Sequence, residues 1–227
     1  MKNNQPAVII DKITKEYYLE KPKTLKTWFK NIFSPFKKYP VFKDFSLKIN
    51  KGEAVIITGP NGSGKTTLLK LIAGITFPDK GKIQTFGKVV PLIELGAGFN
   101  YELTGLENIW INGTILGIEK EKLVKLIPKI IDFSELNDFI NIPLKRYSTG
   151  MITRLAFSIA VYSEADIFLL DEVFAVGDEK FQRKSINYIN KFLERKKTLI
   201  LSTNINIKKF ITYFKKINKN IISVELN

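Results

Sequence analysis

One segment in the first third of the sequence has the residue types and spacing of a loop that binds phosphate groups. It reads Gly59-Pro60-Asn61-Gly62-Ser63-Gly64-Lys65-Thr66. The segment matches the pattern G-x-x-x-x-G-K-[ST] in full, so we assign it, together with Thr67, to nucleotide binding. The glycines allow backbone N–H groups to converge on phosphate oxygens without interference from a Cβ atom. Lys65 is expected to reach the β- and γ-phosphates, and the Thr66 hydroxyl is expected to hold Mg²⁺.

An acidic pair supplies the second group of candidate residues. It ends the segment Ile167-Phe168-Leu169-Leu170-Asp171-Glu172. Four apolar residues predict a buried strand that presents Asp171 at its end, where the carboxylate can hold Mg²⁺ through water. Glu172 can then orient or deprotonate the attacking water, so Glu172 and Lys65 are the predicted catalytic residues. An isolated Asp-Glu pair could equally lie in a solvated loop, but the phosphate loop upstream favours a shared site.

The elements that must position these groups alternate between strands and helices. Apolar runs predict a first strand that opens at residues 8–10 and further strands at residues 45–49, 53–58, 166–170, 198–202 and 221–224, with a strand pair that runs from the turn at residues 79–81 through residue 93. Helices are predicted at residues 66–75 and 178–195, with a short one before the last strand, and residues 104–162 are mostly helical. Thr104 and Glu107 have the spacing of a capping box. This alternation predicts an α/β domain with a mainly parallel sheet and an inserted helical subdomain.

The composition excludes several kinds of chemistry. The chain has no cysteine and no histidine, so disulfides, thiolate zinc sites and Ser-His-Asp triads are impossible. No apolar stretch approaches the ~20 residues that span a bilayer, and the N-terminus does not resemble a secretory signal, so we expect a cytosolic chain. The net charge of +14 indicates either an anionic partner or a general compositional bias.

Further motifs resemble those of a known family. Tyr147-Ser148-Thr149-Gly150-Met151 resembles the signature motif of ABC-transporter ATPases. The segments at residues 91–99, 102–109 and 174–181 sharpen this match. Together they resemble the ATPase subunits of bacterial polysaccharide exporters, which move lipid-linked O-antigen, teichoic acid or capsule chains. The resemblance covers nearly the whole chain.

The resemblance implies a fold, an activity and partners. It implies a P-loop NTPase core of ABC-ATPase type with a helical subdomain at about residues 95–165 and a small antiparallel β part, all in one domain spanning residues 1–227. It implies a head-to-tail homodimer that hydrolyses ATP with Mg²⁺, in which Ser148, Thr149 and Gly150 of one subunit face the phosphate loop of the other. The expected partners are transmembrane permease subunits and a lipid-linked glycan, which is the transported substrate. The ATPase subunit is expected at the cytoplasmic face of the bacterial inner membrane, as a peripheral protein. No nucleic-acid partner is expected.

The resemblance also assigns roles to single residues. Tyr17 corresponds to the aromatic residue that stacks on adenine, and Tyr18 is a close competitor. Glu94 stands where most of the family have a Gln that senses Mg²⁺, and a carboxylate can still coordinate the ion. The family places Ser-His after the strand at residues 198–201, whereas this chain has Ser202-Thr203-Asn204. Thr203 can donate only a neutral hydrogen bond, so we predict a competent but slow ATPase.

A basic, aromatic insertion at about residues 21–40 is a separate feature. Leu25, Trp28, Phe29, Ile32 and Phe33 form one apolar stripe at helical spacing. Such a helix can lie near the membrane partner, or it can pack on its own domain.

No carbohydrate-binding domain is expected after the ATPase core. Alternative functions are a capsule or teichoic-acid exporter ATPase, a nucleic-acid-associated ABC ATPase and a non-hydrolysing regulatory subunit.

Overall fold

The computed structural model of the 227-residue chain describes residues 5–18, 38–93, 96–171, 178–203 and 221–226. Several expectations fall outside these residues. They are the apolar stripe of the insertion, the side chains of Glu94, Glu172 and Asn204, and the short helix before the last strand. Residues 38–40 of the expected insertion begin a strand.

Strands and helices alternate along most of the chain. In chain order they are β1 (Pro6–Tyr18), β2 (Lys38–Asn50), β3 (Ala54–Thr58), α1 (Lys65–Ile72), β4 (Lys80–Thr85), β5 (Val89–Leu92), α2 (Gly105–Ile115), α3 (Lys120–Ser134), α4 (Thr149–Val161), β6 (Ile167–Asp171), α5 (Glu179–Glu194), β7 (Thr198–Ser202) and β8 (Ile221–Glu225). Short 3₁₀ helices at Asn137–Phe139 and Leu144–Arg146 lie between α3 and α4.

A parallel sheet forms the centre of the fold, with its strands in the order β5-β6-β7-β3-β8. Neighbouring residues of a strand point to opposite faces. Ile56 and Leu201 therefore enter one apolar cluster, together with Phe181 of α5, whereas Ile57 enters a second cluster with Leu68 of α1. Because helices cover both faces, these strands are continuous apolar runs, which is the pattern that predicted them.

A smaller antiparallel sheet packs beside the parallel one, with its strands in the order β2-β1-β4. β1 begins at Pro6, two residues before the predicted opening of the strand, and extends to Tyr18. Its pairing with β2 brings Tyr17 opposite Tyr39. Both expected sheets are therefore present, and the antiparallel one carries Tyr17 towards the phosphate loop.

The helical region between β5 and β6 has its own apolar cluster. Its fully buried members include Ile109, Leu123, Ile130, Leu144 and Leu155, which come from α2, α3, α4 and the connecting 3₁₀ turn. The predicted capping box of the first of these helices is confirmed. Thr104 Oγ1 accepts from Glu107 N at 3.2 Å, and the Glu107 carboxylate accepts from Thr104 N at 2.8 Å.

Two helix ends differ slightly from their predicted positions. α1 ends at Ile72 and not at residue 75, because Gly74 adopts a left-handed conformation with φ +71° that cannot continue a helix. α5 begins at Glu179, since Asp178 is its N-cap and accepts a hydrogen bond from Phe181 N. Among the described helices, none is both long enough and apolar enough to cross a bilayer.

Candidate active site

The phosphate loop connects the buried strand β3 to the N-terminus of α1. Two of its glycines approach other parts of the chain so closely that a side chain could not be accommodated. A Cβ atom on Gly59, whose φ is +152°, would lie 2.4 Å from the carbonyl oxygen of Leu226. On Gly64, whose φ is +96°, it would lie 2.5 Å from Val41 Cγ1. The pattern therefore requires glycine for both conformation and space.

Lys65 lies at the first position of α1 and is buried. Its Nζ donates to the carbonyl oxygens of Gly59 and Pro60, at 2.8 and 2.9 Å. The ammonium group is thus held inside the loop by the loop's own backbone. The N-cap residue of α1 is Gly64, which has no side chain to cap the helix, so the first-turn N–H groups and the positive dipole end face the loop. This arrangement suits a phosphate, which can accept from both the ammonium and the backbone.

Asp171 lies at the carboxyl end of β6, beside the loop. Its Oδ2 accepts a hydrogen bond from Thr66 Oγ1 at 2.7 Å, and its Oδ1 accepts from Ser202 Oγ. Three elements therefore bring their polar groups together at one edge of the sheet. Sequence reasoning did not find Ser202 as a member of this group. The register of the parallel strands, which pairs Asp171 with Ser202, is the signal that would have found it.

The residues at this edge fit a magnesium-nucleotide complex. Mg²⁺ prefers oxygen ligands and is usually held by one or two carboxylates together with substrate phosphates and water. The Asp171 carboxylate and the Thr66 hydroxyl are such oxygens, and they are already in contact. Within the described ranges, no three acidic residues cluster as they would in an all-protein metal cage. Thr66 and Asp171 would therefore hold the ion from one side and leave the other side to phosphate oxygens.

Ser63 gives a second indication that the loop is built for a ligand. Its Oγ is buried and has no hydrogen-bond partner among the described residues. Leaving a buried hydroxyl unpaired costs about 1–3 kcal/mol. A bound phosphate would bring additional acceptor oxygens to this loop.

A cleft of about 470 Å³ opens above the loop, within the range of small-molecule sites. It is lined by Tyr17, Val41, Asn61, Gly62, Gly64, Lys65, Thr66, Thr67, Ile93 and Asp171. Most of the predicted nucleotide-binding residues therefore come together. Tyr17 lines this cleft and Tyr18 does not, which favours Tyr17 as the aromatic residue that contacts a base. Lys15 Nζ lies over the Tyr17 ring, 5.4 Å from its centroid, which is a cation–π contact.

Two acidic residues that the sequence assigned to the site each follow directly after a residue that lines this cleft. Ile93, which lines the cleft, directly precedes Glu94, and Asp171 directly precedes Glu172. Their side chains lie outside the described residues. Thr203 is 1% exposed, and its backbone N–H donates to Ile57 O at 3.0 Å, so β3 and β7 hold it at the end of the sheet.

The turn at Ser148, Thr149 and Gly150 lies apart from this cleft. Ser148 is the N-cap of α4, and its Oγ accepts from Met151 N at 3.2 Å. Ser148 and Thr149 are exposed, and the described residues that line the cleft do not include them. The predicted start of a helix at this turn is therefore confirmed. The turn does not belong to the described lining of the nucleotide cleft in its own chain.

The family model described as ABC transporter matches residues 42–175. The chain belongs to the ABC transporter family. The expected family and fold are thereby confirmed.

Within the ABC transporter family, the chain is similar to ATP-binding proteins that are named for O-antigen export and teichoic-acid export. It is 42% identical over 203 residues to the O-antigen export system ATP-binding protein RfbB of Klebsiella pneumoniae, covering 86% of this chain and 82% of the relative. It is 39% identical over 196 residues to the teichoic acids export ATP-binding protein TagH of Staphylococcus saprophyticus, covering 85% and 73%. These are relatives of the expected polysaccharide-export kind.

A solved structure of the same fold is a dimeric ATP-binding cassette in a post-hydrolysis state, bound to ADP and Pi. It superposes with a TM-score of 0.73 at 22% identity, covering 97% of this chain and 96% of that one. At this identity the likeness concerns the fold of the ABC ATPase core.

A second cleft lies between the end of β5, α2 and α4. It has a volume of about 300 Å³. Its lining is mostly apolar and includes Leu92, Ile93, Phe99 and Ile159. Ile75 and Ile115, which also line it, are 57% and 66% exposed. Sequence reasoning did not predict this cleft, because its walls come from segments far apart along the chain.

Proposed function

We propose that this chain is the ATP-binding and ATP-hydrolysing subunit of an ABC exporter that moves a lipid-linked, O-antigen-like polysaccharide across the cytoplasmic membrane. The observation that carries the ATPase proposal is the contact of Thr66, Asp171 and Ser202 beside the Lys65 loop. Relatives named for O-antigen export and teichoic-acid export support the transport role.

Each of the residues in the cleft has a separate role in ATP binding and hydrolysis. Lys65 leaves the carbonyl oxygens of its loop and donates to the β- and γ-phosphates, while the N–H groups at the start of α1 donate to neighbouring oxygens. Thr66 and Asp171 are the residues that would hold Mg²⁺, with Glu94 as a further oxygen ligand. When held there, the ion would supply positive charge that offsets the negative charge of the phosphates.

Glu172 orients the attacking water and accepts its proton. The bond from the water oxygen to Pγ forms while the bond between Pγ and the bridging oxygen of ADP breaks, so that ATP and water become ADP and phosphate. The chain has no histidine to contact the γ-phosphate. Any group that Thr203 or Asn204 offers is neutral, so slow turnover is expected.

The exposed turn at Ser148 supports a head-to-tail homodimer. A hydroxyl and backbone N–H groups at a helix N-terminus can donate to a γ-phosphate. This turn does not line the cleft of its own chain, so it would serve the nucleotide bound by a second copy. ATP then joins the two subunits, and hydrolysis removes the phosphate group that both of them hold.

The second cleft supports a membrane partner. Its exposed isoleucines, Ile75 and Ile115, would lose solvent contact beneath an apolar segment of a permease subunit. We place the subunit at the cytoplasmic face of the membrane as a peripheral protein, with the predicted helix at residues 25–33 near the lipid surface. The proposed organisation is a single ATPase domain with a helical subdomain at about residues 95–165.

Nucleotide turnover tests the proposal. The wild-type protein should release phosphate from ATP in the presence of Mg²⁺. Lys65→Ala should lose nucleotide binding, whereas Glu172→Gln should bind ATP with near wild-type affinity and hydrolyse it at least ~100-fold more slowly, the scale of general-base catalysis.

Three outcomes would contradict the proposal. Equal turnover by wild type and Glu172→Gln would remove Glu172 from its role. No turnover by the wild type, alone or with membranes containing its permease, would identify a regulatory subunit. Tight, salt-sensitive binding to DNA without retention on permease-containing membranes would favour a nucleic-acid-associated ATPase.

A further inference from the structure

Tyr147 directly precedes the Ser148 turn and is buried, whereas Ser148 and Thr149 are exposed. We propose that the Tyr147 hydroxyl, bonded to the Phe139 carbonyl in a space left by Gly105, locks the Ser148 turn in the position from which it meets the nucleotide of the partner subunit. This role rests on the proposed head-to-tail dimer. It makes Tyr147 a positioning residue for a site that belongs to another molecule.

The bond itself is well formed. Tyr147 Oη donates to Phe139 O at 2.7 Å, and Phe139 ends the 3₁₀ helix at Asn137–Phe139. Burial raises the pKa of Tyr147 to about 12, so the group remains a neutral donor throughout the physiological range. The hydroxyl thus ties the residue before the turn to a segment eight positions earlier in the chain.

Gly105 makes room for this hydroxyl. A Cβ atom at Gly105, the first residue of α2, would lie 2.4 Å from Tyr147 Oη and 3.1 Å from Ile140 O. The neighbouring Leu106 N donates to Ile140 O at 3.0 Å, so the backbone on the opposite side cannot move away freely. The start of α2, the Phe139–Ile140 segment and Tyr147 therefore form one closely packed junction.

Tyr147 is also the last anchored residue before the turn. Backbone bonds from Leu144 N to Leu103 O and from Lys145 N to Tyr101 O, each 2.9 Å, hold the preceding segment against the loop before α2. Tyr147 N donates to Leu144 O at 2.9 Å. Ser148 and Thr149 are exposed, and the next buried side chain is that of Ile152 within α4, so Tyr147 is the buried side chain that fixes the N-terminal side of the turn.

A displaced turn would affect only the closed dimer. Groups that stabilise a reacting phosphate must be held within about 0.5 Å of their productive positions. The cleft of a single subunit does not include the turn, so its own affinity for nucleotide should not depend on Tyr147. Loss of the bond between Tyr147 and Phe139 should therefore weaken ATP-driven dimerisation and lower kcat. It should leave the affinity of the monomer for nucleotide unchanged.

Tyr147→Phe and Tyr188→Phe provide a matched comparison. Tyr188 Oη also donates to a backbone carbonyl, that of Val161 at 2.5 Å, and its pKa is likewise raised to about 12 by burial. Tyr188 lies on α5 and bonds to the last residue of α4, at the opposite end of that helix from the Ser148 turn. Each substitution removes one hydroxyl, so both should lower Tm to a similar small extent.

The association measurement is made in the Glu172→Gln background, where ATP should hold the dimer together. We expect Tyr147→Phe to weaken ATP-dependent dimerisation roughly three- to tenfold, the scale of one lost hydrogen bond, with an unchanged monomer affinity for a fluorescent ATP analogue. Without the background substitution, kcat should fall by a similar factor at nearly constant KM. Tyr188→Phe should leave both measurements at the wild-type level.

Gly105→Ala provides an independent variant that keeps the hydroxyl but removes its space. It should weaken dimerisation in the same way, and in the Tyr147→Phe background it should have a much smaller additional effect, because both variants act on one contact.

Equal dimerisation by the Tyr147→Phe and Tyr188→Phe proteins would overturn the lock, and so would loss of monomer nucleotide affinity in Tyr147→Phe. If Glu172→Gln itself stays monomeric with ATP, the proposed dimer is wrong and the lock is wrong with it. The background measurement therefore separates the two failures.

Discussion

Asp171 receives hydrogen bonds on both carboxylate oxygens, from hydroxyls that α1 and β7 supply. A carboxylate held on both sides presents its remaining lone pairs in a fixed direction, which is the usual way that neighbouring groups orient a metal ligand. Ser202 therefore acts through Asp171, although it need not touch the ion.

Ser202→Ala should raise the Mg²⁺ concentration that gives half-maximal ATP turnover by roughly tenfold, because Asp171 loses the donor to Oδ1. Titration of the steady-state rate with Mg²⁺ at saturating ATP measures this shift. Ser158→Ala is the matched control, since Ser158 is equally buried but donates to Arg154 O within α4. A normal Mg²⁺ dependence in Ser202→Ala would mean that Thr66 alone is enough to orient Asp171.

The two adjacent tyrosines at the end of β1 allow a direct test of base stacking. Tyr17→Ala should weaken ATP binding by about 1–3 kcal/mol, or roughly 5- to 150-fold, because a ring against a base is lost. Tyr18→Ala should have little effect, since Tyr18 does not line the cleft. Equilibrium binding of ATP to both variants decides between them, and the reverse order of affinities would place the base against Tyr18.

At the scale of single elements, the start of α2 is the best-defined cap. Thr104 donates to Glu107 from both its backbone and its side chain, and these bonds lower the pKa of the Glu107 carboxyl. A lowered folded-state pKa means that the stabilisation is present above the unfolded value of 4.5 and is lost as the pH falls through the folded value.

Thr104→Ala should therefore lower the free energy of unfolding by about 1 kcal/mol at pH 7, and by less near pH 3. Denaturant unfolding at both pH values measures the difference. Thr114→Ala is the control, because Thr114 lies in the last turn of the same helix and its hydroxyl donates to Trp110 O, away from the cap. Alanine favours a helix interior, so this control should be neutral or slightly stabilising.

Local sequence patterns predicted most helices and strands. They also predicted those parts of the site that consist of residues next to one another in the sequence. The phosphate loop, the strand before Asp171 and the capping box at Thr104 each depend on neighbouring residues, and each is present. The contacts of Ser202 with Asp171 and of Tyr147 with Phe139 and Gly105 depend on packing between distant segments, which no periodicity encodes. The position of Lys65 on the carbonyl oxygens of its own loop likewise follows from the folded backbone alone.

At the scale of the whole molecule, the separation of the Ser148 turn from the cleft predicts shared sites. In a head-to-tail dimer each site takes Lys65 from one subunit and Ser148 from the other. Lys65→Ala and Ser148→Arg proteins should each be inactive alone.

Mixing these two inactive proteins should restore turnover to on the order of a quarter of wild type, because half of the random dimers are mixed and each mixed dimer has one intact site. Phosphate release from the mixture, against each variant alone, measures this. A mixture as inactive as its components would show that no composite site forms between subunits.

The loop around Lys65 has one more consequence, which concerns small competing anions. The ammonium group of Lys65 is bonded to two carbonyl oxygens of its own loop, so a phosphate that binds it must replace these contacts as well as make new ones. A lone orthophosphate can replace those two bonds and accept from the N–H groups at the start of α1. A triphosphate also reaches the Thr66 hydroxyl and the aromatic wall. The loop should therefore hold inorganic phosphate much more weakly than a molecule that is long enough to occupy the whole cleft.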